Sequence, residues 1–274
     1  MTNACSICDA TMAPLFTLKI LGKYDVGYFY CANCGFTRTE NPYWLEEAYS
    51  DAISVTDTGI LQRNWALSSR LACTLFFCMR SDGAFIDVAG GYGILTRLMR
   101  DYGFNYFWED KFCANLLAKC FEAPVDLSNV TALSGFEVLE HTIDPMEFLS
   151  GMMNAHRCRT FIFSTETYSG DGPPRSDWWY LSTVSGQHIS FFHHRTLQCI
   201  ADRLKLRFYS SNGLHIFTDR KLRRPWLLPL LRNSTSSLLA RVVRSRLGSL
   251  TNVDHANISR RLSASDKSVG DSID

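Results

Sequence analysis

The segment from Phe85 to Leu98 constrains the fold of this chain more than any other. A short apolar run carrying an acid, Phe85-Ile86-Asp87-Val88, enters a glycine-rich turn, Ala89-Gly90-Gly91-Tyr92-Gly93. The turn leads into a helical pattern in which Ile94, Leu95, Leu98 and Met99 share one face. Glycines let a backbone approach a ligand closely, and a helix N-terminus offers free N–H groups to it. On its own the turn suits several nucleotide-like cofactors.

The surrounding pattern repeats the same unit. Strands are expected at Phe85–Val88, Tyr106–Trp108, Val130–Ser134 and Thr160–Ser164, and helices at Ile94–Tyr102, Ala114–Phe121 and Pro145–His156. Alternating strands and helices imply an α/β, doubly wound, Rossmann-like parallel sheet with its ligands at the C-terminal strand ends. A helix over Thr196–Leu206 and an antiparallel pair, Arg207–Ser211 with His215–Thr218, close the unit. The expected organisation is a zinc ribbon at 1–40, a helical cap at 41–81, the sheet domain at 82–220, a basic helical extension at 221–262 and a disordered polar tail at 263–274. Within the cap, Asn41-Pro42 opens a helix with Trp44, Leu45, Ala48 and Tyr49 on one face, and a second helix runs over Ile60–Met79.

The chain has 10 cysteines, and four of them form a pattern: Cys5-Ser6-Ile7-Cys8 and Cys31-Ala32-Asn33-Cys34. The stretch between them reads as two short strands, Leu15–Ile20 and Gly27–Tyr30, so the two C-x-x-C turns sit on a hairpin. That arrangement places four thiolates around one tetrahedral Zn²⁺. With no histidine nearby the site is closed, which makes it structural. Cys73, Cys78, Cys113, Cys120, Cys158 and Cys199 sit among apolar residues and read as core filler.

Three features fall at successive strand ends: the turn with Asp87, Ala89, Gly90, Gly91 and Gly93; Glu109-Asp110 after the next strand; and Glu137-Val138-Leu139-Glu140-His141 after Val130–Ser134. Asp110 follows Asp87 by 23 residues, the spacing at which an acid meets a ribose. Together these residues resemble the class I S-adenosylmethionine-dependent methyltransferases. The turn is similar to that family's acid-x-Gly-x-Gly-x-Gly motif, with Ala89 in place of the first glycine. Asp110 matches the ribose-binding acid, with Glu109 as the second choice. Glu137–His141 resembles the E-V-L-E-H element of small-molecule methyltransferases. The paired cysteine turns and Gly186-Gln187-His188-Ile189-Ser190-Phe191 look like a subgroup with an N-terminal zinc module. The resemblance implies S-adenosyl-L-methionine as cofactor, bound through Asp87, Ala89, Gly90, Gly91, Gly93, Asp110 and Glu137, and Zn²⁺ on Cys5, Cys8, Cys31 and Cys34.

Two other phosphate- or nucleotide-binding readings fail on residues. A dinucleotide turn needs a glycine where Thr96 stands, and no Gly-Lys-Ser/Thr follows the turn. For methyl transfer the acceptor must be positioned and, for many acceptors, deprotonated. His188 and His141 are the candidate bases, with Tyr180 and Gln187 to orient His188 or contact hydroxyls. A core histidine bonded to backbone accounts for His188 nearly as well, and packing under the cofactor loop accounts better for His141. Glu140 reads as a helix cap. Trp178 and Trp179 suit stacking on a sugar or base, or a lid on the sheet edge. His193-His194-Arg195 reads as a solvated helix start.

The expected substrate is a small polar acceptor such as a nucleotide-linked sugar. One alternative is RNA or protein methylation, with the zinc ribbon and the basic segment gripping a macromolecule. Another is a non-catalytic zinc-binding scaffold. Net charge is +1, so no global field favours nucleic acid. No apolar run spans a bilayer, and Met1-Thr2-Asn3-Ala4-Cys5 lacks the regions of a signal peptide. A cytoplasmic location is the resulting expectation.

Overall fold

The computed structural model describes residues 4–49 and 57–270. Its centre is a six-stranded sheet built from β4 (Ala84–Val88), β5 (Asn105–Glu109), β6 (Val130–Phe136), β7 (Thr160–Ser164), β10 (Arg207–Ser211) and β11 (Leu214–Thr218). The order is β10-β11-β7-β6-β4-β5. The four strands from β5 to β7 are parallel, and β11 and β10 add an antiparallel edge. Every residue of β4 and β7 is buried, because both faces of a parallel sheet are covered and its central strands carry continuous apolar runs.

Two cores fill those faces. One packs α4 (Pro145–Ala155) and α5 (His194–Arg203) against Ile86, Leu133, Phe161 and Phe163. The other packs α2 (Ile60–Cys73), α3 (Ile94–Asp101) and α6 (Asn233–Leu247) against Phe85, Ala132 and Ile162. Local chemistry starts these helices. Asp144 caps α4 by accepting the N–H groups of Met146 and Glu147 at 2.9 and 3.0 Å, with Pro145 in the first turn. His193 caps α5 and accepts the Arg195 N–H, while its own N–H donates to Thr196 Oγ1. That agrees with a helix start at His193–Arg195.

The cysteine hairpin comprises β1 (Ala13–Ile20) and β2 (Tyr24–Tyr30). The strands are longer than the sequence predicts and the turn between them is shorter. The hairpin is not isolated. β3 (Thr37–Thr39), β9 (Ser190–His193) and β8 (Thr167–Tyr168) extend it into a five-stranded sheet. Phe36 packs on Phe192 at 5.6 Å between ring centroids. The N-terminal residues thereby brace the loop that follows the parallel sheet.

Several expectations are corrected. No helix forms over Ala114–Phe121; the chain turns and bends there. Its backbone groups are satisfied elsewhere: Tyr92 O accepts from Leu116 and Leu117, and Asn115 bonds both N–H and O of Ala118. Cys120 is exposed rather than core filler, and Cys113 and Cys199 are half-buried. The first cap helix shrinks to α1 (Leu45–Ala48), with Trp44 buried beside it and Tyr49 partly exposed. The expected helix over Ile60–Met79 is α2 continued by a π-helical turn over Thr74–Cys78. Residues 50–56 of the cap lie outside the described residues.

The tail is helical through Gly270, within α7 (Thr251–Gly270), where the polar sequence predicts disorder; 271–274 lie outside the described residues. Asp254, the one acid in the basic extension, explains the start of that helix. It is buried and accepts two bonds from Arg100, at 2.7 and 2.8 Å, and one from Arg97 at 2.6 Å, which clamps α7 onto α3. Among the described residues no helix is long and apolar enough to cross a membrane.

Candidate active site

The parallel strand order turns at β4, which has β5 on one side and β6 on the other. The crevice at the C-terminal ends of β4 and β6 is where such sheets bind ligands, and the glycine turn lies at its edge. Ala89 sits at φ 59°, Gly91 at 54° and Gly93 at 85°, all in the left-handed region that glycine tolerates best. Ala89 therefore stands in a position made for glycine. A Cβ on Gly90 would meet Trp108 Cδ1 at 2.8 Å and Asp87 Oδ2 at 3.0 Å, whereas one on Gly91 would meet nothing within 4 Å. Gly90 serves the packing of the turn, and Gly91 faces open space.

The turn is held from β5. Trp108 Nε1 donates to Gly91 O at 2.8 Å, and the Gly90 N–H donates to Glu109 O at 3.1 Å. Asp110 Oδ2 accepts the Gly91 N–H at 2.9 Å, and its Oδ1 accepts from Phe112 and Cys113 at 2.7 and 2.8 Å. Asp110 thus accepts three backbone N–H groups, which leaves about one of the four lone-pair sites of a carboxylate for a hydroxyl. Glu109 points elsewhere, its Oε2 lying 3.0 Å from His156 Nε2. Asp87 is buried under the turn; Ser134 Oγ donates to its Oδ1 at 2.9 Å and Thr96 Oγ1 approaches Oδ2 at 3.5 Å. Burial raises the Asp87 carboxyl to about 7, against the pull of those two hydroxyls. Thr96, where a dinucleotide turn would carry glycine, is a partner of Asp87.

A second group of polar residues is assembled from distant parts of the chain. Glu137, with φ 53°, follows β6 directly. Its N–H donates to Ser164 Oγ at 3.1 Å, and the Ser164 hydroxyl donates back to Glu137 Oε1 at 2.6 Å. Glu140 is fully buried and caps no helix, contrary to expectation. Its Oε1 accepts a very short hydrogen bond from the Tyr180 hydroxyl, while Oε2 has no hydrogen-bond partner among the described residues. His188 Nδ1 lies 2.7 Å from the Tyr180 carbonyl oxygen. His141 Nδ1 lies 3.0 Å from Gln187 O and 2.8 Å from the Tyr49 hydroxyl. Carbonyls only accept, so both Nδ1 atoms carry the proton and both Nε2 atoms hold the lone pair when the rings are neutral.

The two imidazoles meet edge to face at 4.9 Å, and His188 lies 4.5 Å from the Tyr180 ring. Glu140, His141 and His188 each bring a donor atom within 4.8 Å of the others. Burial is the main cause of every shift here. It raises the Glu140 carboxyl to about 7, with Glu137 repulsion adding to the rise. It lowers both histidines below their ordinary value, and His141 lowers His188 further. Neutral imidazoles beside a carboxyl poised near neutrality form a set that can accept and relay a proton.

The structure thus brings His188, His141 and Tyr180 together as one cluster. Gln187 does not orient His188, because its side-chain amide donates to Ala48 O at 2.8 Å. The Tyr180 carbonyl takes that part instead. Trp179 is exposed, while Trp178 packs against Tyr180 at 5.3 Å, so the expected aromatic pair is split. Tyr49 and the buried state of Glu140 were missed. No short-range signal in the sequence marks Tyr49, since it is 92 residues from His141.

The four knuckle cysteines also converge. Cys5 Sγ lies 3.6 Å from Cys34 Sγ, Cys8 Sγ lies 3.5 Å from Cys31 Sγ, and all four fall within 4.8 Å of one another. Edges of about 3.8 Å are those of a tetrahedron of sulfurs bound at about 2.3 Å, so the donor set fits a Cys₄ ion.

The sheet order is that of a doubly wound α/β fold with its glycine turn at the point where the strand order reverses. A family model described as a methyltransferase domain matches residues 63–209, more than half of the chain, and this protein belongs to that family. The matched span runs from α2 to β10 and holds both the glycine turn and the Glu140–His141–His188 cluster. No curated protein matches the sequence. Among solved structures, TnmH is similar at 17% identity and TM-score 0.47, over 64% of this chain and 60% of that one. An O-methyltransferase family 2 protein from Planctomyces limnophilus, in complex with apigenin, is 14% identical with TM-score 0.43, over 58% of each chain. The magnesium protoporphyrin IX methyltransferase of Synechocystis, with bound SAH, is 10% identical with TM-score 0.41, over 63% of this chain and 90% of that one. The chain thus spans under two thirds of the first two.

Proposed function

We propose that this methyltransferase uses S-adenosyl-L-methionine and methylates a small polar acceptor of the nucleotide-linked sugar type. The observation that carries the reading is the pairing of two features on one sheet edge. One is the glycine turn at the C-terminal end of β4, with open space at Gly91. The other is the Glu140–His141–His188 cluster, whose first two members follow β6 by a few residues. The residues present fit the cofactor: Gly91 leaves room for it, Asp110 supplies a carboxylate at the end of β5, and the first turn of α3 contains no acid.

When bound, the cofactor supplies a methyl carbon activated by sulfonium charge and departs as S-adenosylhomocysteine. The chain's own residues do the rest. Asp110 meets the ribose, and Asp87 holds the turn from below. Glu137, pinned by Ser164, lines the mouth between β6 and β7. His188 Nε2 takes the acceptor's proton as its nucleophile attacks, and the Tyr180 carbonyl holds the Nδ1–H that keeps this tautomer. Glu140 then stabilises the imidazolium from its buried position. His141, fixed by Gln187 O and Tyr49, packs against His188 and keeps the ring in place.

Cys5, Cys8, Cys31 and Cys34 hold one Zn²⁺ in the same reading. The ion closes the β1–β2 hairpin, and through β3 and β9 it braces the loop that carries His188. Purified protein incubated with labelled cofactor and a panel of sugar nucleotides, quinones, RNA and protein tests the acceptor. Methyl gain by a sugar nucleotide, read by mass spectrometry and lost in His188→Ala, is the expected result. Transfer confined to RNA or protein would replace the acceptor class and leave the cofactor site standing. Metal analysis tests the knuckle: about one zinc per chain is expected, absent from a Cys31→Ser/Cys34→Ser variant. Zinc content unchanged in that variant would defeat the assignment.

A further inference from the structure

Residues 220–253 carry eight Lys and Arg residues and no Asp or Glu, in a chain whose net charge is only +1. The rest of the molecule is therefore net acidic, and the positive charge is concentrated in this segment. Its exposed face lies in the outer layer over α2, on the side of the sheet opposite the cysteine hairpin. Acids near its start are already engaged, Asp82 with Arg80 and Asp219 with Arg220.

The segment divides its apolar residues between the inside and the outside. Leu222, Leu228, Leu231, Ala240 and Val243 are buried and fix it to the core. In the 3₁₀ turn Pro225–Leu230, however, Trp226 is 65% and Leu230 56% exposed, and on α6 Leu238 and Val242 are 65% and 46% exposed. Leu238 and Val242 lie one turn apart and so share a face. Scattered exposed leucines are ordinary. Here an exposed Trp and aliphatic side chains are interleaved with exposed Lys221, Arg223, Arg224 and Arg232, and the segment itself holds no acid; Asp82, which lies near Arg223, is paired with Arg80.

We propose that this face docks the protein peripherally on an anionic lipid surface. Trp226 and Leu230 enter the headgroup region, and the flanking cations lie over the phosphates. A tryptophan ring and long basic side chains both suit that boundary, since each has an apolar body and a polar end. RNA would engage the cations but would leave Leu230, Leu238 and Val242 without a use. A second copy of the chain would bring like charges face to face. No residue of the candidate active site takes part, so the inference stands apart from the acceptor reading.

Co-sedimentation of the full chain with vesicles tests it. Binding is expected to phosphatidylcholine vesicles containing roughly 30% phosphatidylserine and not to phosphatidylcholine alone, and it should weaken with salt. Trp226→Ser/Leu230→Ser and Arg223→Gln/Arg224→Gln, all at exposed positions, should each weaken binding by about tenfold or more. No sedimentation with anionic vesicles overturns the proposal. So does binding that Trp226→Ser/Leu230→Ser leaves unchanged, RNA binding through the same arginines with no vesicle binding, or a dimer that either double variant dissolves.

Discussion

The two halves of the candidate active site are built in opposite ways. The proposed cofactor end is local: Asp87, Ala89, Gly90, Gly91 and Gly93 lie within seven residues, and β5 with the residue after it props the turn through Trp108 and Asp110. The proposed acceptor end is global. Glu140 meets Tyr180 across 40 positions, and His141 meets Tyr49 across 92 and Gln187 across 46. A local site owes its shape to backbone conformation, whereas a global one owes its shape to everything that packs behind it. Substitutions at the two ends should therefore fail differently.

The largest effect is expected at the acceptor end. His188→Ala should lower turnover by about 10²–10⁴-fold, the usual worth of a positioned base, while cofactor affinity stays within a factor of a few. Equal losses of turnover and cofactor affinity would erase the distinction between the two ends. Activity should also fall on the acid side as His188 takes up a proton, at a pH below the ordinary histidine value because burial depresses it.

A smaller effect concerns stability against pH. Asp87 is raised to about 7 in the folded state by burial, above its value of about 3.9 in an unfolded chain. The folded state then binds more protons, so stability is fullest below the unfolded value and declines as pH rises through 7. Glu140, also raised to about 7 by burial, works in the same direction. Denaturant unfolding of the ligand-free protein at pH 5 and 7.5 should show this decline, and Asp87→Asn should flatten part of it. An unchanged slope in the variant would mean that Asp87 is not the buried acid described.

These contrasts also explain what was legible in the sequence. The glycine turn, the parallel strands and the paired cysteine turns could all be read, because spacing along the chain encodes them. The helix expected over Ala114–Phe121 failed because Asn115 and Tyr92 capture backbone groups that a helix would use. The apolar periodicity of that stretch gives no sign of the competition. Gln187 was given the wrong partner and Tyr49 none, since both depend on where α1 and its flanks meet the loop after the sheet. Glu140 was legible as part of a motif, but its burial beneath Tyr180 was not. At the other end of the chain, the polar composition after Ser263 predicts disorder, yet α7 extends to Gly270 after Asp254 is clamped by Arg97 and Arg100.

The smallest effect is backbone strain in the turn. Ala89 holds φ 59° and is exposed. Ala89→Gly should relieve about 1 kcal/mol of strain, partly offset by the freedom glycine adds to the unfolded chain. A net gain of up to about 1 kcal/mol in denaturant unfolding is expected. A loss beyond about 1 kcal/mol would show that the alanine methyl packs against something. Gly90→Ala offers the opposite result, a folding defect, because its Cβ would press on Trp108 and Asp87.

The most direct test of the cofactor assignment uses Gly91, whose Cβ position meets no atom of the described residues within 4 Å. Calorimetric titration of S-adenosylhomocysteine into wild-type protein and Gly91→Ala separates ligand space from protein packing. The account predicts one site per wild-type chain and at least about tenfold weaker binding in the variant, with a stability cost of only about 1 kcal/mol from the positive φ. No binding by the wild type at millimolar ligand, or equal affinity in the two proteins, would contradict it.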